Sequence, residues 1–185
     1  PPPRLLRRQR QMCIRDRRGF DLFIDPDTAK CANCHTTDPD PISGKVLFTD
    51  FNYFNIGTPP NPNNPSAAID GGLGDINRNP VISINRAAEL GKFRTPTLRN
   101  VKLTAPYMHN GRYQTLREVI LHYDIVVSSA ELGFTPAEDY PEVDVNIALE
   151  LNFNDPNLTP ALGLSEQEMI DLEAFLLTLT DGYTP

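Results

Sequence analysis

Tryptophan is absent from this 185-residue sequence, and cysteine is scarce, with three residues. Three cysteines cannot all pair within one chain, which disfavours a disulfide framework. The sequence also lacks an apolar run of about 18 residues, which excludes a transmembrane helix. Basic residues are outnumbered, with 17 Lys and Arg against 24 Asp and Glu. Because phosphate binding depends on clustered Lys and Arg, this balance disfavours nucleic acid as a partner.

Proline, in contrast, is abundant, with 18 residues against 11 glycines. This ratio predicts a compact core surrounded by stiff, irregular loops. Proline and asparagine concentrate in residues 36–112, which we interpret as a long irregular loop region with a short strand near 46–51. A loop region of this length is unusual unless it wraps around something.

The first 18 residues differ in charge from the rest, since they contain seven Arg and one Asp. They lack the apolar segment and the small-residue cleavage site of a signal peptide. A nucleic-acid or membrane arm, a disordered tail and foreign sequence are the three alternatives. The stretch QMCIRDR resembles translated sequencing-adapter sequence. We therefore interpret residues 1–18 as a non-native or disordered basic head and place the domain at 19–185, with the natural N-terminal part missing.

Helix signals occur at both ends of the domain. Residues 19–25 place their apolar side chains on one face and end before a proline. Capping boxes at Thr115 and Ser165 predict helices that run to about Val127 and about Leu179. The last helix carries an apolar stripe formed by Met169, Leu172, Leu176 and Leu179. The sequence predicts a mainly α domain with little sheet.

The central motif is CANCH at residues 31–35. C-x-x-C-H is the attachment signature of c-type haem, in which both thiols bond the porphyrin and the histidine is the proximal iron ligand. A thioredoxin-like redox pair requires a βαβ setting, and a structural zinc site requires four Cys or His ligands. No second cysteine pair exists, and only two further histidines do. The motif therefore predicts one covalent haem.

The other face of the iron has five candidate ligands in the sequence: Met108, His109, His122, Tyr123 and Met169. At about 100° per residue, Tyr123 shares a narrow arc with the apolar residues of its helix, and His122 lies about 100° to the side. Tyr123 is thus either the ligand or a core tyrosine with a hydrogen-bonded hydroxyl. Met169 lies on the apolar stripe of the last helix, which favours a role in packing. Met108 and His109 lie in a turn, where helical phase does not exclude either of them as a ligand.

Together, these motifs resemble those of a known protein family. The order CxxCH, FTDFNYFNIGTP, GKFRTPTLRNVKLTAPYMHNGRYQTLREVI and GLSEQEMIDLEAFLLTLTDGYTP resembles the C-terminal haem domain of bacterial di-haem cytochrome c peroxidases, over essentially all of 19–185. The resemblance implies a cytochrome c-like haem domain in a periplasmic enzyme that reduces hydrogen peroxide. It also implies a small electron donor (a cytochrome c or cupredoxin), a separate N-terminal peroxidatic haem domain and a homodimer.

The resemblance also implies roles for particular residues. Cys31 and Cys34 take the thioether positions, and His35 takes the proximal position. The sixth ligand of the family is a methionine eight positions after the residue that matches Thr115, and here that position is Tyr123. A tyrosine there is similar to the branch of the methylamine-utilisation di-haem oxidase, which crosslinks tryptophans in a partner protein. A hard phenolate favours Fe(III), whereas a soft thioether favours Fe(II).

Further positions follow from the same resemblance. Family members hold Ca²⁺ between two domains, partly through carbonyls that match Thr104 and Pro106, so calcium is expected only in the intact protein. Arg94 and Arg99 are candidate partners of the haem propionates. Phe54 stands where relatives often have His.

Three functions stay open at this point. The first is an electron-accepting haem domain of a di-haem peroxidase, truncated at its N-terminus. The second is a stand-alone monohaem electron carrier without catalysis. The third is a tyrosine-ligated haem oxidase that acts on a protein partner. A second CxxCH upstream in the intact gene would distinguish the first from the second.

Overall fold

The structure is a computed structural model, and it describes residues 4–56, 58, 61, 63–64, 71–75, 89, 91–128 and 162–180, without the side chains of 4–13 and 125–128. Its helices are α1 (Arg4–Ile24), α2 (Leu116–Ser128) and α3 (Glu166–Thr178), and its strands are β1 (Tyr53–Phe54) and β2 (Phe93–Arg94). Short 3₁₀ turns span Cys31–Asn33, Gly72–Gly74 and Val101–Leu103. The predicted mainly α class with little sheet is confirmed.

Helix α1 ends at Ile24, as the sequence predicts, but begins at Arg4 rather than near residue 19. After its end, the Asp25 carboxylate accepts hydrogen bonds from the Asp27 N–H and the Thr28 hydroxyl, at 2.8 and 3.0 Å. The basic segment is thus the first part of this helix. The interpretation of residues 1–18 as a non-native or disordered head stays a prediction.

The core forms where α1 packs against α3. The ring of Phe175 in α3 lies 5.3 Å from that of Phe20 and 5.1 Å from that of Phe23, measured between centroids. Phe23 is only 1% exposed. All four residues of the predicted stripe on the last helix, Met169, Leu172, Leu176 and Leu179, are buried. The apolar periodicity of the sequence therefore identified the core face of α3.

Both predicted capping boxes are present. The Thr115 N–H donates to Glu118 Oε2 at 2.8 Å, and the Glu118 N–H donates to Thr115 Oγ1 at 3.2 Å. Ser165 and Glu168 form the same reciprocal pair at the start of α3. These bonds satisfy backbone N–H groups that have no partner within the helix. Because the caps fix where α2 and α3 begin, they also fix which side chains face the core.

The predicted strand near 46–51 is wrong. Val46 forms only an isolated bridge with Pro39, and the short sheet pairs β1 with β2 in antiparallel register. The physical reason is local, because Phe48 and Phe51 have φ angles of 53° and 59°. Residues in this left-handed region cannot continue a pleated strand. The segment forms an irregular wall instead.

No helix in the described ranges is both long and apolar enough to cross a membrane.

Candidate haem site

A cavity of about 490 Å³ lies between the Cys31–Asn33 turn, the segment around β2, the turn at 104–109, α2 and α3. This volume falls within the range of small-molecule and cofactor sites. Much of its lining is apolar, with Phe23 from α1, Ile120 from α2 and Leu172 from α3. The cavity is therefore a deep apolar pocket in the domain core, next to the CxxCH motif.

The two cysteines line this cavity, and both are free thiols. They lie on one tight turn, in which the N–H groups of Cys34 and His35 donate to the Cys31 carbonyl at 3.3 and 2.9 Å. Lys30, just before the turn, has a left-handed φ of 56°. Burial raises the pKa of the Cys31 thiol to about 12, so Cys31 is protonated and donates to the Ala29 carbonyl at 3.4 Å. Both sulfur-bearing side chains thus face one pocket.

His35 lines the same cavity. Its Nδ1 lies 2.9 Å from the Phe48 carbonyl oxygen, which can only accept a hydrogen bond. Nδ1 therefore carries the proton, and Nε2 keeps its lone pair. Burial lowers the pKa of His35, so the ring is neutral. A neutral imidazole fixed by a backbone carbonyl is the form that binds a metal through its other nitrogen. These residues fit a c-type haem.

The structure separates the five candidates for the second iron ligand. Tyr123, Met108 and His109 line the cavity, whereas His122 and Met169 do not. Met169 is buried in the core. His122 points away, as its helical phase predicts, and burial lowers its pKa to about 4.

Tyr123 enters the cavity from α2. Burial raises the pKa of its phenol, and the proximity of Cys31 and Cys34 raises it further. The hydroxyl therefore keeps its proton in this apolar pocket unless a positive centre lies beside it.

One pair of cavity residues was not predicted from the sequence. The rings of Phe93 and His109 are stacked, with centroids 3.6 Å apart and planes inclined by 5°. Phe93 lies on β2 and His109 in the turn before α2, so the stack joins two walls of the cavity. Both positions fall in irregular sequence, and no periodic pattern could have brought them together.

The candidate propionate partners are placed differently. Arg94 lines the cavity, donates from Nε to the Phe51 carbonyl at 3.3 Å and lies over the Phe51 ring at 4.6 Å. Arg99 is not part of the lining, and its Nε donates to the Val46 carbonyl at 2.8 Å. Arg94 is thus the better placed of the two for a group in the cavity. Phe54 also lines the cavity, as an apolar wall residue.

The two positions expected to contribute calcium ligands, Thr104 and Pro106, line the cavity as well. The Thr104 hydroxyl donates to the Val101 carbonyl at 3.0 Å. Within the residues that the structure describes, no group of three or more His, Cys, Asp or Glu side chains could hold a metal ion. A calcium site through the Thr104 and Pro106 carbonyls stays a prediction.

Comparison with known proteins gives a consistent set of relatives. No family model matches the chain. It is 33% identical to the methylamine utilization protein MauG of Paracoccus denitrificans (strain Pd 1222) over 185 residues, which cover 96% of this chain and 45% of MauG. It is 31% identical to the cytochrome-c peroxidase IdrP1 of Denitromonas iodatirespirans over 186 residues, which cover 91% of this chain and 41% of that protein.

Two solved structures are similar over 91% of the chain. The diheme peroxidase BthA from Burkholderia thailandensis E264 gives a TM-score of 0.73 at 30% identity, with 43% of BthA covered. A MauG-like protein associated with microbial copper homeostasis gives a TM-score of 0.59 at 30% identity, with 44% covered. The chain spans less than half the length of each of these relatives.

Proposed function

The chain belongs to the MauG-like and di-haem cytochrome c peroxidase family, and on this premise we propose that it is the C-terminal, electron-accepting haem domain of a periplasmic di-haem peroxidase. One observation carries the proposal. The two thiols and the imidazole of CxxCH line a single apolar cavity with Tyr123. This arrangement suits a buried redox group that His35 and Tyr123 would hold.

Each residue has a defined role in this proposal. Cys31 and Cys34 form the thioether bonds, and His35 binds the iron through Nε2 while its Nδ1–H donates to the Phe48 carbonyl. When bound, the haem supplies an iron that alternates between its ferric and ferrous forms. The apolar lining keeps water away from the ligands. Arg94, at the cavity wall, pairs with a propionate, and Arg99 is the second candidate for that role.

Tyr123 is the proposed sixth ligand, with Met108 as the alternative. The support for Tyr123 is its phase on α2, its register with the ligand position of the family and its place in the cavity. Ligation requires the phenol to lose a proton, against the burial that raises its pKa. A bound ferric iron would favour that loss through its positive charge, and the phenolate would in turn favour the ferric state.

A second candidate function follows from the same tyrosine. A phenolate in place of a thioether suits a haem oxidase that acts on a protein partner, and one relative in this family is named for methylamine utilization. The third candidate, a stand-alone monohaem carrier, would need no second haem domain. Since the chain spans less than half of its relatives, the peroxidase proposal places the missing N-terminal haem domain in the rest of the protein. Homodimerisation and a calcium ion bound through Thr104 and Pro106 belong to that intact protein.

The test compares electron uptake with peroxide turnover. The haem-loaded chain is mixed with a reduced small cytochrome c or cupredoxin, and its reduction is followed optically before and after addition of hydrogen peroxide. We expect electron uptake with turnover near background, against rapid turnover by an intact two-domain relative under the same conditions. Turnover by this chain at a rate comparable to that of the intact relative would contradict the role of an electron-accepting domain.

A further inference from the structure

His122 is a buried polar side chain outside the cavity, with 4% of its surface exposed. It precedes Tyr123 on α2 and faces a different direction. Its ring makes two hydrogen bonds with two different segments of the chain. Nε2 lies 2.8 Å from the Ile56 carbonyl oxygen, and Nδ1 lies 3.0 Å from the Tyr113 hydroxyl. Both nitrogens are thus satisfied, as is usual for a buried polar side chain, and the bonds tie His122 to both segments.

The direction of both bonds follows from the chemistry of the partners. The Ile56 carbonyl can only accept, so Nε2 carries the proton and donates. A neutral imidazole then has a lone pair at Nδ1, which accepts from the Tyr113 hydroxyl. The donor and acceptor capacity of the ring is therefore fully used. With the proton on Nδ1 instead, the ring would lose its bond to the Ile56 carbonyl, because two acceptors would face each other there.

The Tyr113 bond connects His122 to the turn that carries two of the other candidate ligands. Tyr113 and Tyr107 exchange backbone hydrogen bonds at 2.7 and 3.4 Å, which closes the turn around Met108 and His109. The side-chain amide of Asn61 donates hydrogen bonds to the Asn110 and Gly111 carbonyls of the same turn, at 3.0 Å each. His122 thus joins α2, this turn and the segment after β1.

His122 also contacts Tyr123 directly. The two rings meet edge to face, with centroids 5.6 Å apart and planes inclined by 72°. Neighbouring residues on a helix point about 100° apart. Because His122 is bonded to Ile56 and to Tyr113, the rotation of α2 about its axis is restricted, and so is the direction in which Tyr123 points.

We propose that His122 is a positioning residue for Tyr123, which it holds in the cavity through its hydrogen bonds to Ile56 and Tyr113 and its ring contact with Tyr123. This inference rests on the proposed role of Tyr123 as the iron ligand. His122 itself does not touch the cavity, so its effect on the iron is indirect. Ligand geometry held by a rigid supporting shell is how proteins keep a metal site from loosening.

The experiment uses the full chain matured with covalent haem, and it reads the ferric absorption and paramagnetic resonance spectra and the reduction potential. Tyr123→Phe defines the spectrum of protein without the phenolate. His122→Phe keeps a ring of similar size and removes both hydrogen bonds, whereas Tyr113→Phe removes only the hydroxyl at Nδ1. His122→Gln keeps a donor that can reach the Ile56 carbonyl. Met169→Leu, a volume-conserving core change outside the cavity, is the matched control.

In the His122→Phe variant, the fraction of protein that shows the spectrum of Tyr123→Phe should be about ten times that in the unsubstituted chain. Its reduction potential should shift toward that of Tyr123→Phe. Tyr113→Phe and His122→Gln should show the same change at about threefold. Met169→Leu should leave both readouts at their original values. If His122→Phe folds poorly, the Tyr113→Phe and His122→Gln arms decide the outcome.

Two results would overturn the inference, and they are distinguishable. If Tyr123→Phe changes the spectrum while the His122 and Tyr113 variants lower only the thermal midpoint, His122 is structural and the ligand proposal stands. If Tyr123→Phe leaves the spectrum unchanged, the ligand proposal fails and the positioning role fails with it.

Discussion

Gly19 in α1 lies directly against the backbone of Asp171 in α3, where a Cβ atom would come within 1.9 Å of the carbonyl oxygen. The two helices can approach this closely only because residue 19 has no side chain. The close approach brings Phe23 against Phe175 and so places an apolar wall beside the cysteine motif. The geometry of the cavity therefore depends on a glycine that touches no candidate ligand.

Gly19→Ala should lower the free energy of unfolding by about 3 kcal/mol, because a methyl group forces the two backbones apart. The measurement is the urea midpoint of the chain. Gly44→Ala is the matched control, since nothing lies within 4 Å of the added Cβ and only the backbone strain at φ +66° remains. That strain costs about 1 kcal/mol. Equal losses in the two variants would show that the helices do not meet at Gly19.

The capping boxes predict a loss of stability in acid. The Ser165 hydroxyl lowers the pKa of Glu168 from its ordinary value of 4.5, and Thr115 does the same for Glu118. A carboxyl with a lowered pKa in the folded state stabilises the fold above its unfolded pKa and loses that contribution as the pH falls. Stability should therefore decline as the pH drops below about 4.5.

Ser165→Ala tests this contribution. It should lower the free energy of unfolding at pH 7 by about 1 kcal/mol, which is typical for the loss of an N-cap side chain. The cap is solvent-exposed, so the electrostatic part of this loss is small. The substitution should also flatten the decline below about pH 4.5 in part, because the hydroxyl bond that contributes most to lowering the Glu168 pKa is gone while the bond from the backbone N–H of residue 165 remains. Thermal midpoints between about pH 3 and pH 7 measure both effects. A variant that keeps the parent slope would contradict the assignment of this acid sensitivity to Glu168.

Local chemistry made the helices and the motif predictable. Capping requires only that Thr115 and Glu118 lie three positions apart, and the cavity-facing side of α2 follows from helical phase. The same phase separated Tyr123 from His122, and the structure places Tyr123 in the cavity and His122 outside it. Each of these predictions depends on residues within a few turns of one another.

Long-range contacts were not predictable in the same way. Phe93 and His109 stack across 16 positions of irregular sequence, and β1 pairs with a strand about 40 residues away. The segment near 46–51 is rich in residues that favour strands, yet Phe48 and Phe51 adopt left-handed angles. Tertiary bonds explain this outcome, since the Phe48 carbonyl accepts from His35. Strand propensity is weak compared with such contacts.

The second iron ligand gives a prediction of its own. In the matured chain, Tyr123→Phe should change the ferric spectrum and raise the reduction potential, because a hard anionic donor to Fe(III) is lost. Met108→Leu keeps the volume of the side chain and should change both readouts little. The measurements are optical spectra and a potentiometric titration. A near-infrared thioether-to-iron band that disappears in Met108→Leu would assign the ligand to Met108 instead.

The most direct test of the account is the mass of the protein after maturation. The chain, exported together with a c-type maturation system, should gain the mass of one haem that stays attached in acidified organic solvent. Cys31→Ala and Cys34→Ala should each weaken or abolish this gain, because both thiols of CxxCH form bonds to the porphyrin. Protein that releases all of its haem into the solvent, or that never gains the mass, would contradict the assignment of the cavity to a covalent c-type haem.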